Sequence, residues 1–251
     1  MSHIIRELPD GTTAIYAWFM AMHTRVDVLL KAADSTLLKP AVHDMRQLIG
    51  EIEAAGNRFA PTSQLATLNC NGQMVFTHPE DHLYRMISQC LRFNALTLGL
   101  FDITVSSRSH SPHTIDLVHL TADTIYFDEP TVSLDLCGFI KGYALDQIKP
   151  MLAAHGIADA IVNMGNSSVL AMGHVPGKFT GCLTTSGNDT PTRRHIVNPI
   201  TGQWVEGRRQ VSVRTQGGAE GEVLATSVLL ADDRQLLQLK RNFQIEDINY
   251  Q

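Results

Sequence analysis

A charged pair around a glycine turn is the first feature of this sequence that suggests chemistry. Asp135 leads through Gly138 to Lys141, and the apolar pattern that follows predicts a helix beginning near Lys141. Backbone N–H groups at a helix N-terminus attract anions, and a lysine adds a point charge for phosphate. The spacing does not fit the phosphate loop of nucleoside triphosphatases. The residues also fit a purely structural arrangement, with Asp135 as N-cap and Lys141 in solvent.

A second pair, Glu222 and Thr226, is four residues apart, which places the two side chains on one face of a predicted helix. A carboxylate and a hydroxyl are hard oxygen ligands. Mg²⁺ takes one or two carboxylates together with phosphate oxygens and water, so this pair suffices if a carbonyl and a pyrophosphate complete the coordination. The alternative is a solvent-facing Glu222 and a threonine that bonds to its own helix backbone.

His195 is the third candidate, because it lies between two polar turns, the first at Thr185–Asn188 and the second at Asn198–Gly202. An imidazole titrates near neutral pH, so His195 could act as a general base. A single histidine in such a segment is also typical of an ordinary hydrogen-bonded strand residue.

Both strands and helices are predicted around these groups. Alternating valines predict one long strand over Tyr16–Ala32, and helical spacing predicts helices over Pro40–Gly56, Ile140–His155 and Glu222–Leu230. Further strands are predicted at Thr124–Phe127, Thr131–Leu136, Ala160–Met164, Ser168–Met172, Gly181–Thr185 and Val211–Thr215. Because no βαβ unit repeats, we expect an α+β fold, a single domain over 1–251 with a mixed, largely antiparallel sheet packed with helices.

The amino-acid composition favours a folded protein that binds no nucleic acid and spans no membrane. The 251 residues are 44% hydrophobic, which favours a packed core over disorder, and the net charge of -5 argues against a nucleic-acid partner. No apolar run is long enough for a membrane span, and the first eleven residues resemble neither a signal peptide nor a lipid-anchor site, so we expect a cytoplasmic protein. The four cysteines form no Cys-x-x-Cys pair, which predicts free thiols.

Several of these motifs, taken in order, resemble the FAD:protein FMN transferases, which were once labelled thiamine-biosynthesis lipoproteins. The resemblance runs from about residue 22 to 230, and Leu-Asp-Leu-x-Gly-x-x-Lys-Gly-Tyr-Ala-x-Asp at 134–146 is its most specific part. The other matching pieces are Ser63-Gln64-Leu65, Leu68-Asn69, Phe101-Asp102, Thr104-Val105, Asn163-x-Gly165, Thr185-Ser186-Gly187, the segment His195–Gly202, and Leu224-Ala225-Thr226.

The resemblance implies an enzyme that binds FAD with Mg²⁺ and moves FMN onto a serine or threonine hydroxyl of an acceptor protein, releasing AMP. It implies a flavin-nucleotide site formed by Met22, Phe59, Asp135, Lys141 and Val211. It implies metal ligation by the Gly138 carbonyl, Glu222 and Thr226, and catalytic roles near the phosphates for His195 and Lys141.

The chain also departs from the family pattern, as a divergent and shortened member. His23 replaces a glycine, the family's Asn-x-Gly-Gly-Asp ends here in Asn166-Ser167, and Glu222 replaces an aspartate. The segment 106–133 is shorter than usual. Three functions therefore stay open: an active transferase, an FAD pyrophosphatase that releases FMN and AMP, and a degenerate paralogue that binds a flavin nucleotide without transfer.

Overall fold

An antiparallel sheet of eight strands forms the scaffold of the molecule, and helices pack on one of its faces. The computed structural model describes residues 2–78, 80–173, 179–192 and 194–251. The helices found there are α1 (Leu38–Gly56), α2 (Gln64–Asn71), α3 (His82–Leu96), α4 (Ile140–Ala154), α5 (Gly218–Leu230) and α6 (Asp233–Asn242). The strands are β1 (Ser2–Glu7), β2 (Thr13–Ala21), β3 (Thr24–Ala32), β4 (Gln73–Val75), β5 (Val118–Leu120), β6 (Thr124–Phe127), β7 (Asp159–Met164), β8 (Ser168–Met172), β9 (Gly181–Asn188), β10 (Arg209–Thr215) and β11 (Asp247–Tyr250).

The large sheet has the order β1-β2-β3-β7-β8-β9-β10-β11, and a small sheet has the order β4-β6-β5. Neighbouring strands pair antiparallel in both sheets, as in β3 with β7 and β9 with β10. Helix α5 packs against β9 and β10, while α1 packs against α4 and β2. Alternate residues such as Val26, Val28 and Leu30 are fully buried beneath the helices. The predicted α+β class with a largely antiparallel sheet is confirmed.

The prediction of one long strand over Tyr16–Ala32 is wrong. The segment is a hairpin of β2 and β3, joined at Met22 and His23, which have φ values of 49° and 56°. Two consecutive positive φ values are typical of the tight turns that match the twist of paired strands. Neither residue is a glycine or asparagine, so the usual turn signal is missing and the alternation of apolar residues continues across the turn.

The prediction of a strand at Thr131–Leu136 is also wrong, because this segment has no strand partner among the described residues. The side chain of Asn69 takes the partner's place. Its Oδ1 accepts from the Leu134 N–H at 2.8 Å, and its Nδ2 donates to the Leu134 carbonyl at 3.0 Å. The Asp135 N–H donates to the carbonyl of Ile103 at 2.7 Å. The backbone is thus satisfied without a ladder and leads directly into α4.

The predicted helices are confirmed, with shifted ends. Helix α1 begins two residues before Pro40, and α4 ends one residue before His155. Helix α5 begins at Gly218, four residues before the predicted start at Glu222. Asp146 on α4 explains this early start, because its carboxylate accepts from the N–H groups of Gly218 at 2.6 Å and Ala219 at 2.9 Å. Those N–H groups would otherwise lack partners in the first turn.

Three further observations bear on the sequence-based expectations. The four cysteines are free thiols, as predicted. Within the described ranges, no helix combines the length and the apolar character that crossing a bilayer requires. The described part of the short segment 106–133 contains a 3-10 turn at Thr114–Leu117 and the two short strands β5 and β6.

Candidate functional site

One cavity of about 680 Å³ brings together six of the nine residues predicted for the site. These six are Asp135, Gly138, Lys141, His195, Glu222 and Thr226. The cavity lies between the start of α4, the β7–β8 turn, the N-terminal half of α5 and the segment that follows β9. The glycine-lysine turn and the carboxylate-threonine helix, which are far apart in sequence, therefore face a common space.

A backbone contact between α4 and α5 sets this arrangement. A Cβ atom on Gly142 would lie 2.2 Å from the carbonyl oxygen of Gly218 and 2.6 Å from Cγ of Glu222. Only glycine permits such an approach, since a real Cβ would clash with the backbone of the other helix. Lys141 precedes this contact on α4, and Glu222 lies one turn after it on α5. The crossing point therefore brings the lysine and the carboxylate to the same end of the cavity.

Glu222 is buried, with 6% of its surface exposed, so the solvent-facing alternative is wrong. Its Oε1 accepts a hydrogen bond from the Ser168 hydroxyl. Burial raises the pKa of Glu222 above its ordinary value, while the charge of Lys141, the Ser168 bond and the Gly142 backbone oppose that rise. One turn further along α5, the Thr226 hydroxyl lies 2.9 Å from the Ser186 hydroxyl. Both Glu222 and Thr226 line the cavity.

Lys141 points toward the β7–β8 turn and is half-buried. Its Nζ donates to Oγ of Ser167, and the Ser167 and Ser168 hydroxyls lie 3.4 Å apart. The expectation of a solvated surface lysine is therefore wrong. These two serines were not predicted as site residues. Ser167 lies in the turn between two predicted strands, where the family pattern has an acid, and this was the available signal.

Asp135 is held at the cavity wall by an ion pair. Nη1 of Arg58 lies 2.6 Å from its Oδ2, and its Oδ1 accepts from the N–H of Cys137 at 2.9 Å. Burial alone raises the pKa of Asp135, but the bonds from Cys137 and the Arg58 guanidinium outweigh burial and lower it overall. The prediction that Asp135 caps the helix is wrong, because α4 starts after Phe139. Arg58 was not predicted, although it is adjacent to Phe59.

His195 lines the cavity from the segment between β9 and β10. Asn188, at the end of β9, donates from Nδ2 to the carbonyls of Val205 at 2.7 Å and Gly207 at 3.2 Å. Within the loop, Oδ1 of Asn198 accepts from the N–H of Ile200 at 2.9 Å, which forms the predicted second turn. These contacts join the end of β9 to residues 205 and 207 and shape the turn that follows His195.

The other three predicted residues lie outside the described lining of this cavity. The Met22 N–H donates to Oε2 of Glu53 at 2.9 Å in the tight turn, and Phe59 is 67% exposed with its ring edge-on to His23 at 6.4 Å. Val211 is 1% exposed and belongs to the core, where it pairs with Ser186. Their roles in binding a flavin stay predictions.

A divalent cation is compatible with the oxygen atoms at this site, although few of them are acidic. Within the part of the chain that the structure describes, no group of three His, Cys, Asp or Glu side chains could hold a metal ion. Glu222 is a single buried carboxylate beside a hydroxyl and near Gly138. Such a set suits a hard cation that takes its remaining ligands from phosphate oxygens and water.

Comparison with known proteins agrees with the motif resemblance. A model of the ApbE family matches residues 22–180, more than half of the chain. The FAD:protein FMN transferase of Rhodobacter capsulatus is 31% identical over 150 residues, which cover 49% of this chain and 28% of that protein. The FAD:protein FMN transferase of Chlamydia trachomatis serovar D is 22% identical over 254 residues, which cover 82% of this chain and 80% of that protein.

Solved structures show the same fold. The flavin transferase ApbE from Vibrio cholerae superposes with a TM-score of 0.77 at 18% identity, covering 96% of this chain and 97% of that one. The flavinyl transferase ApbE from Pseudomonas stutzeri, in its apo form, gives a TM-score of 0.79 at 14% identity, covering 96% and 94%. The resemblance stated from the motifs is confirmed, and with it the prediction that the chain is a member of a family of enzymes.

Proposed function

The chain belongs to the ApbE family, and from this premise we propose that it is an FAD:protein FMN transferase. In this reaction FMN moves from FAD to a serine or threonine hydroxyl of an acceptor protein, and AMP is released. The observation that carries the proposal is the single cavity that Lys141, Glu222 and Thr226 line together.

The charges around the cavity suit a diphosphate. The protein has a net charge of -5, so it must neutralise a bound dianion locally. Lys141 supplies a positive charge at the start of α4, where backbone N–H groups also favour anions. The Ser167 hydroxyl holds the Lys141 ammonium at the cavity. Positioned charges of this kind stabilise phosphoryl transfer without requiring covalent chemistry from the protein.

Mg²⁺ is part of the proposal. Glu222, Thr226 and the carbonyl of Gly138 would hold it, and the buried carboxylate beside a hydroxyl supports that assignment. When bound, the cation would neutralise the diphosphate and polarise the phosphorus that is attacked. The hydroxyl contact between Thr226 and Ser186 fixes the side chain of Thr226 on the cavity side of α5.

We assign the remaining predicted residues to the two ends of FAD. His195 lies at the cavity and would accept the proton of the acceptor hydroxyl. Asp135 would bind the flavin nucleotide, and its ion pair with Arg58 keeps the carboxylate in place. Met22 would border the isoalloxazine from the hairpin turn and Phe59 from the loop after α1, and Val211 would line the same pocket.

The test is an assay of AMP release. The purified protein is mixed with FAD and Mg²⁺, with and without a polypeptide that carries a hydroxyl acceptor, and AMP, FMN and labelled acceptor are quantified. Transfer predicts AMP together with a flavin-labelled acceptor, and loss of both when the metal is chelated. Free FMN with AMP identifies a pyrophosphatase instead, and tight flavin binding without AMP identifies a degenerate binding protein.

Two expectations from the sequence stay predictions beside this proposal. One is that the whole range 1–251 forms a single transferase-like domain, and the other is the cytoplasmic location. Fractionation of cells that produce the full-length protein, followed by detection of the chain in each fraction, would test the second.

A further inference from the structure

We propose that Ser167 is itself an acceptor for FMN, so that the chain attaches a flavin to its own β7–β8 turn. This inference rests on the proposed function, because FAD is the donor. It concerns a residue that differs from the family pattern, which has an acid where this chain has Ser167. A carboxylate cannot serve as a stable phosphodiester acceptor, whereas a hydroxyl can.

Position is the first argument. Ser167 lines the cavity together with Lys141 and Glu222, and it is half-buried. The adjacent Ser168 is fully buried and bonds to Glu222, so of these two serines only Ser167 lines the cavity. The two serines differ in exposure because of the turn that precedes them, in which Gly165 and Asn166 adopt φ values of 65° and 62°.

The direction of the hydrogen bonds is the second argument. An ammonium group only donates, so Ser167 Oγ accepts from Nζ of Lys141. Ser168 donates its one hydrogen to the carboxylate of Glu222 and can only accept at its remaining contact. In the 3.4 Å contact between the serines, Ser167 is therefore the donor. One lone pair of Ser167 Oγ then has no partner in this chain of bonds, and Ser167 lines the cavity.

A serine hydroxyl can attack phosphorus directly when positive charge stabilises the transferred phosphoryl group. Here the Ser167 oxygen forms a bond to the FMN-side phosphorus of FAD, and the bond between that phosphorus and the bridging oxygen breaks. The bridging oxygen leaves with AMP, and the hydroxyl proton ends on the AMP phosphate. The Lys141 ammonium stays charged and stabilises the oxygen during the attack. The product is FMN joined to Ser167 through a phosphodiester.

Mass spectrometry of the full chain tests the inference. The protein is incubated with FAD and Mg²⁺ without any acceptor, then denatured and measured intact and as peptides. We expect a mass increase equal to FMN less one water, located on the peptide that contains Ser167. Ser167→Ala should abolish this label. Thr24→Val is the matched control, because Thr24 lines the same cavity with a hydroxyl but has no described contact with Lys141, and it should retain the label.

The outcomes separate this inference from the proposed function. AMP release with an external acceptor labelled, but no flavin on the chain, overturns the inference and leaves the proposed function standing. Flavin on a residue other than Ser167 in the wild-type peptides also overturns it, whether or not the Ser167→Ala variant folds. If no AMP appears under any condition, the proposed function fails and the inference fails with it.

Discussion

At the proposed phosphate end of the site, side chains are positioned by helices in contact, whereas at the proposed flavin end Met22, Phe59 and Val211 lie in a tight turn, a surface loop and the core. Lys141 and Glu222 are placed by the glycine contact between α4 and α5. Phe59 is 67% exposed, and Val211 is 1% exposed. The residues proposed for the diphosphate therefore share one cavity, whereas Met22, Phe59 and Val211 lie outside its described lining.

This difference predicts how substitutions should act. Pre-organised charges contribute most to a transition state, because no reorganisation is needed when charge develops. An exposed aromatic ring contributes through contact area with the substrate alone. We therefore expect large effects on turnover from changes at the phosphate end and modest effects on FAD affinity from changes at the flavin end.

The largest effect is expected for Gly142→Ala. The new Cβ would lie 2.2 Å from the Gly218 carbonyl oxygen, so α4 and α5 must separate. We expect a loss of about 3 kcal/mol in the free energy of unfolding, together with loss of AMP release. Gly50→Ala is the control, because Gly50 lies in α1 with nothing within 4 Å of its Cβ position. That variant should gain up to about 1 kcal/mol in denaturant titrations. Equal stability of the two variants would contradict the helix contact.

The second-largest effect, a loss of turnover, is expected for Lys141→Met. Removing this charge should lower kcat for AMP release by about 100-fold, as for other lost donors to a transition state. Lys149→Met is the control on the same helix, since Lys149 donates to the carbonyl of Gln216 at 3.1 Å instead. It should leave kcat unchanged. A similar loss of kcat in both variants would show that the total positive charge of α4, and not the position of Lys141, controls the rate.

A third prediction concerns pH and Glu222. Because burial raises the pKa of Glu222 above its ordinary value of 4.5, the folded protein holds this proton more tightly than the unfolded chain. In metal-free buffer, this contribution to stability is therefore present below pH 4.5 and is lost as the pH rises through the raised pKa. Glu222→Gln should flatten that decline in urea titrations at several pH values. If stability declines with pH as steeply in Glu222→Gln as in the wild type, the raised pKa of Glu222 is contradicted.

The opposite pH dependence of stability is expected for Asp135, and the two carboxylates can be compared within one protein. Its pKa lies below the ordinary value, so its contribution to stability is present near neutral pH and is lost as the pH falls through the lowered pKa. Asp135→Asn should therefore reduce the acid-side decline in stability and leave the decline attributed to Glu222 in place.

The smallest effect is expected at the flavin end. Phe59→Ala should raise the KM for FAD by about 10-fold or less, the scale of one aromatic contact, with stability unchanged. Val211→Ala should instead cost about 2 kcal/mol of stability, because it leaves a cavity in the core, with little change in KM. A stability loss in Phe59→Ala without a change in KM would remove Phe59 from the flavin site.

The sequence was most informative where chemistry and local pattern coincide. The segment 134–146 predicted both the start of α4 and the cavity position of Lys141, because Gly138 in the turn and Gly142 in the helix contact lie on either side of this lysine. The hairpin at Met22 was missed, since two residues without a turn signal adopt positive φ. Ser167 and Arg58 were missed as well, because their importance depends on contacts with Lys141 and Asp135 that are distant in sequence.

The central claim is that a metal-bound diphosphate occupies the space between Lys141 and the Glu222–Thr226 face of α5. A crystal structure with ADP and Mn²⁺ tests this directly, because the anomalous signal of Mn²⁺ locates the metal and ADP supplies an uncleaved diphosphate. The account predicts an anomalous peak beside Glu222 and Thr226, with the diphosphate between it and Lys141. A peak at the separate cavity that Trp204 and Arg209 line, or a diphosphate that does not contact Lys141, would contradict it.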